Sequence, residues 1–133
     1  MRSLDMDGPF ELTKDVITRK VNQTLPGNFA LGRMTKEKKF IVRYVGRDDK
    51  DVRRALIQSL KLVQQPGVID RLMGAEPGET HFKFSFARTA DAAFEKHCRQ
   101  FHNFNKHGQL RNTRHPRPPD DNPRKCPVCG EVY

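Results

Sequence analysis

The chain contains no apolar run approaching the ~18 residues that a membrane-spanning helix needs. Its first residues, Met1-Arg2-Ser3-Leu4-Asp5, lack the apolar stretch of an export signal. Cysteine is scarce, with three in 133 residues. Disulfide frameworks use cysteines in pairs, so an odd count without an export signal argues against a secreted, cross-linked protein. Acidic residues are the third shortage: 16 Asp and Glu stand against 25 Lys and Arg. Together these absences lead us to expect a soluble, cytoplasmic, strongly basic protein.

A chain of 133 residues suits one domain. That size buries roughly two-thirds of the unfolded surface. Hydrophobic residues make up 35% and charged ones 31%, a modest core that a metal staple would support. The net charge of +9 favours a polyanion partner, DNA or RNA, through counterion release. That charge is concentrated. Between Lys96 and Lys125 lie eight Lys and Arg against two acids, Asp120 and Asp121, together with four of the five histidines.

The same stretch holds a candidate metal set. Cys98 and His102 are four apart in a segment with helical periodicity, which places both on one face at adjacent turns. Cys126-Pro127-Val128-Cys129-Gly130 has the C-x2-C spacing of a thiolate knuckle, with a glycine to permit its turn. Cys98, His102, Cys126 and Cys129 then form a tetrahedral Cys3His set, the composition of a closed structural zinc site. His107 or His115 could replace His102 as fourth ligand. A redox C-x-x-C belongs at a strand-to-helix junction, and none is apparent here.

Elsewhere the periodicities read as mixed α and β. Residues 1–10 look loose, residues 13–21 form a short amphipathic helix, and Pro26-Gly27 breaks it. A short strand over residues 28–31 precedes a polar loop from Gly32 to Lys39. Residues 40–45 are the clearest strand, with Phe40, Val42 and Tyr44 on one face and Gly46 ending it. Asp48 or Asp49 can cap a helix whose apolar stripe is Val52, Leu56, Leu60 and Val63, with Lys50, Arg53, Arg54 and Lys61 solvated off it. Pro66-Gly67 and Pro77-Gly78 bound a connector with one helical turn over residues 68–73. In residues 81–86, Phe82, Phe84 and Phe86 alternate. Such a stripe could stack bases, but the helix after Thr89 would cover it and make it core. That helix runs to about Phe104. Residues 105–125 carry four prolines and no period, and the knuckle clips them back onto the last helix.

The order Gly27-Asn28-Phe29, then Tyr44-Val45-Gly46, a helix with arginines, a strand and a final helix resembles the GIY-YIG nuclease domain. Residues Phe40 to Arg47 and Ala93 to Cys98 look like a small bacterial and phage group of that family ending in a C-P-x-C pair. The resemblance covers roughly residues 25–130. It implies an α+β fold, a small three-stranded antiparallel sheet flanked by helices. We expect a domain core over about residues 25–104 and a zinc-bound basic tail over 105–133. The family's chemistry implies two tyrosines, a helix arginine, an assisting histidine, and a glutamate holding Mg²⁺ or Mn²⁺.

Carried onto this chain, Tyr44 keeps its slot. Phe29 lacks the hydroxyl, Ala55 stands at the arginine slot and Ser59 at the histidine slot. His97 replaces the glutamate, and it is no hard oxygen ligand for Mg²⁺. A one-residue slip would let Arg54 serve. Glu95 lies two residues, ~200° of helix, from the glutamate slot. The leading expectation is a zinc-stabilised, catalytically degenerate module that binds nucleic acid through Arg47, Lys50, Arg53, Arg54, Arg111, Arg114 and Arg117. One alternative is an active endonuclease using Tyr44, Arg54 and Glu95. Another is a protein-interaction or inhibitor module facing an acidic partner.

Overall fold

The computed structural model describes residues 4–63, 79–106 and 108–133. Strands and helices follow in the order β1 (Asp7–Glu11), α1 (Lys14–Lys20), β2 (Gly27–Met34), β3 (Phe40–Asp48), α2 (Val52–Val63), β4 (His81–Phe86) and α3 (Ala90–Phe104). The four strands make one antiparallel sheet in the order β1-β4-β2-β3. The α+β class is as expected, but the sheet has four strands rather than three. The added strand comes from residues read as loose: Asp7, Phe10 and Glu11 pair with Phe84, Phe82 and His81. Sheet and core therefore begin well before residue 25. The connector over residues 66–78, like His107, lies outside the described residues.

The chemistry of the termini sets the helices. The Thr13 hydroxyl accepts from the Val16 N–H at 3.2 Å and starts α1, and Thr89 accepts from Ala92 at 3.0 Å to start α3. Before α2, Asp48 accepts from the N–H groups of Lys50 and Asp51, each at 2.8 Å, and Asp51 caps Arg53. The backbone donors pull the Asp48 carboxyl below its ordinary range despite burial, which works to raise it.

β2 is central and buried from Gly27 to Gly32. It continues to Met34 before a tight turn in which Lys38 N–H donates to the Thr35 carbonyl at 2.9 Å. The polar composition beyond Gly32 conceals this extra length. β3 also outlasts its expected end. Gly46 sits inside it opposite Phe29, where a Cβ would lie 2.5 Å from the Phe29 ring. A glycine there lets that ring cross the strand.

Two apolar layers sandwich the sheet. Phe29, Leu31, Phe82 and Phe84 pack against Ile17 and Val21 of α1 and Val52, Leu56 and Leu60 of α2. On the opposite face Ala30 and Val45 meet Leu4, Leu110, Phe101 and Phe104. The phenylalanine stripe of β4 is core, as expected, but α1 and α2 cover it rather than the helix that follows. Tyr44 also changes sides. A bulge at Arg43 (Leu31 pairs with Tyr44, Gly32 with Val42) turns Tyr44 toward Phe29 and leaves Phe40 and Val42 on the α3 side.

Candidate metal centre

α3 lies on the second face because its buried residues, Ala93, Phe94, Cys98 and Gln100, form one stripe. Asn28, fully buried in β2, donates from Nδ2 to the Ala93 carbonyl at 2.9 Å and ties sheet to helix. His102 projects from the last turn of α3, with the Phe101 ring edge-on to it at 5.4 Å.

The tail returns along the open edge of β3. The Asn112 side chain accepts from Val45 N–H at 3.0 Å and donates to Val45 C=O at 2.7 Å, imitating a neighbouring strand. Leu110 plugs the second apolar layer beside it. This clamp delivers His115 to His102: their Nε2 atoms lie 3.0 Å apart. Past a 3-10 turn over Pro119–Asp121, residues 124–126 pair with 131–133 as a small hairpin. Gly130, at φ +77°, permits its turn.

This hairpin tip is the expected knuckle. Val128 N–H donates to Cys126 Sγ at 3.4 Å; Cys126 Sγ lies 3.5 Å from His102 Nε2, and Cys129 Sγ 3.7 Å from His115 Nε2. The ligand atoms of His102, His115, Cys126 and Cys129 all lie within 4.8 Å of one another and could hold a metal ion. Burial works to raise the Cys126 thiol, but the Cys129 and Val128 N–H groups, with His115 and Cys129, bring it down to about 6. A thiolate at neutral pH is the form a cation needs.

His115 is orientated from behind. Its Nδ1 lies 2.8 Å from the Pro116 carbonyl, which accepts only, so that nitrogen carries the proton and Nε2 presents a lone pair. Tyr133 stacks on the same ring at 3.7 Å and 4°.

Three of the four expected ligands therefore meet, and His115 takes the place given to Cys98. Cys98 is fully buried against Phe94 and Cys126. Burial, then Cys126 beside it, pushes its thiol up to about 12. It lies beside the Cys126 sulfur.

The residues expected in a nucleic-acid cleft are mostly occupied. Arg47 is 10% exposed and holds Asp49 at 2.7 Å, His97 Nδ1 at 3.1 Å and the Arg117 carbonyl, with its guanidinium over the Phe94 ring. Because Arg47 donates to Nδ1, the His97 Nε2–H faces the Val45 carbonyl at 3.3 Å. Burial, then the Arg47 charge, push His97 down to about 3. Arg54 binds Asp48 at 3.1 Å, Arg53 reaches the Thr24 hydroxyl at 3.4 Å, and Arg111 bonds Glu79 at 2.5 Å while covering the Tyr44 ring. Lys50, Arg114 and Arg117 are exposed.

The family-derived slots are divided by the sheet. Phe29 and Tyr44, with ring centroids 6.0 Å apart, and Ala55 lie in the α1/α2 layer; His97 lies on the α3 side. Ser59 is half-buried on α2, and Glu95 is exposed on α3.

No family model, curated protein or solved structure matches the chain.

Sequence reasoning offered His115 only as a substitute, and missed Asn112 and Tyr133 altogether.

Proposed function

We propose that the chain is a zinc-stapled basic module that binds nucleic acid, built on a GIY-YIG-like scaffold with degenerate hydrolytic machinery. Zinc is supported by the donor set, two thiols and two imidazoles, which suits a closed tetrahedral site. Zn–S bonds of about 2.3 Å and Zn–N bonds of about 2.0–2.1 Å imply ligand-to-ligand edges of roughly 3.3–3.8 Å. The 3.5 and 3.7 Å sulfur–nitrogen separations match those edges, and the 3.0 Å nitrogen–nitrogen separation is slightly shorter than them. Bound there, zinc supplies cross-linking rather than chemistry, holding the returning tail to α3.

The observation that carries nucleic-acid binding is the charge left over after folding. In the stretch that the centre anchors, Arg111 and Arg124 are taken by Glu79 and Asp91, and Lys96 by the Asp5 carbonyl and Ser85. Arg99, Lys106, Arg114, Arg117 and Lys125 are exposed, with no acidic partner among the described residues. Five such cations can each meet a phosphate. The order β2, β3, α2, β4 and α3 is compatible with the GIY-YIG resemblance. Phenylalanine, alanine, serine and neutral histidine at four slots support binding without hydrolysis.

The test is a salt titration of binding to a DNA duplex, run beside a nicking assay with Mg²⁺ or Mn²⁺. Four to five phosphate contacts give a log–log slope near −4. Arg114→Glu with Arg117→Glu should flatten it by about two. A slope near zero contradicts the binding reading. Nicking lost on Arg54→Ala contradicts the degenerate one.

A further inference from the structure

The hairpin carrying Cys126 and Cys129 holds three of the six large apolar side chains exposed among the described residues: Val128 (49%), Val132 (65%) and Tyr133 (41%). A ten-residue hairpin has no core in which to bury them. Tyr133 differs from the two valines in being fixed. Its ring lies flat on His115 at 3.7 Å and 4°. His115 is in turn held by the Pro116 carbonyl, by Phe101 edge-on at 5.6 Å, and by His102, whose Nε2 lies 3.0 Å from its own. Strand pairing completes the hold, since Arg124 and Tyr133 exchange both backbone hydrogen bonds, at 3.2 and 3.1 Å.

Such a ring is a pre-ordered stacking surface. A freely rotating aromatic side chain loses entropy on meeting a ligand, and one already clamped loses little. Its chemical surroundings choose the ligand. Arg114 precedes His115, Arg117 follows within two residues, and both are exposed without an acidic partner among the described residues. A flat π face stacked on a residue whose chain neighbours are exposed cations fits a planar base attached to phosphates. Bases of a duplex have both faces covered by their neighbours, so only unpaired bases can use it.

We propose that Tyr133, seated on His115, stacks an unpaired base while the exposed Arg114 and Arg117, neighbours of His115 in the chain, meet its phosphates, so that the preferred partner is single-stranded nucleic acid. This rests on the nucleic-acid reading above and names its substrate class. No covalent step is involved. A metal ion bound by His102, His115, Cys126 and Cys129 would further immobilise His115, so metal-free protein should show a weaker single-strand preference.

The experiment uses the full chain loaded with zinc and a fluorescent oligothymidylate of about 15 nucleotides, against a duplex of equal length. The chain has two tyrosines and no tryptophan, and Tyr44 lies beneath Arg111, so quenching of tyrosine emission on binding reports on Tyr133. The proposal expects tighter binding to the single strand and quenched emission. Tyr133→Leu should weaken single-strand binding tenfold or more with duplex binding unchanged, and Tyr133→Phe should retain it. Zinc content of the variants confirms an intact hairpin. Equal affinity for both forms, or no effect of Tyr133→Leu, overturns the stacking proposal and leaves the nucleic-acid reading standing. Binding to neither form at low salt overturns both.

Discussion

The Nε2 atoms of His102, on the last turn of α3, and His115, in the returning tail, face each other at 3.0 Å. Two imidazole lone pairs at that distance repel unless a proton or a cation lies between them. The Pro116 carbonyl already fixes the His115 proton on the other nitrogen. With the Cys126 and Cys129 sulfurs alongside, the arrangement has the donors of a cation site and a tautomer set to serve it.

Asn112 anchors the tail to β3 without recourse to a metal ion. Asn112→Ala leaves the partly buried Val45 N–H without a partner and its C=O with His97 alone, a loss of about 1–3 kcal/mol. Urea denaturation of the zinc-loaded protein measures it. Because Arg111 N–H also bonds Arg43 C=O beside it, the variant should expose the β3 edge to faster amide exchange at residues 43–45. An unchanged midpoint with unchanged exchange would show that the tail is held by the metal alone.

The elements legible in the sequence are those whose signal is local. Thr89 followed by an amphipathic stretch gave α3 its start and its end at Phe104, and alternating phenylalanines gave β4. β1 has no such signal. Its Asp7-Gly8-Pro9-Phe10-Glu11 reads as loop, and it becomes a strand because β4 offers an unpaired edge. The bulge at Arg43 is hidden too, since the apolar pattern of residues 40–45 can be read straight through it. At the candidate site, helical spacing placed Cys98 and His102 on one face of α3, and His102 is the one whose ligand atom lies with those of Cys126 and Cys129. The spacing could not separate His102 from Cys98 one turn earlier. That choice depends on where the tail returns, and Asn112 decides it by docking on β3, a contact between residues 67 apart in sequence.

His97 gives the fold a pH signature. Its folded value is pushed down to about 3 against an unfolded value near 6.5, by burial and by Arg47. Below pH 6.5 the unfolded chain takes up a proton that the folded one refuses. Stability is therefore lost as pH falls from 6.5 toward 3, by about 1.4 kcal/mol per unit for one group. Ligand protonation acts in the same direction, so the readout is the difference between wild type and His97→Gln, both in excess zinc. The variant should have the shallower acid slope between pH 6 and about 4.5. Identical slopes would mean that His97 is not held neutral.

Zinc-edge X-ray absorption of the purified, metal-loaded protein tests the central claim most directly. The account predicts about one zinc per chain with two sulfur and two nitrogen neighbours, reduced to one nitrogen by His115→Ala and left unchanged by Cys98→Ala. A first shell of three sulfurs that loses one on Cys98→Ala, or a protein that retains no zinc, would contradict it.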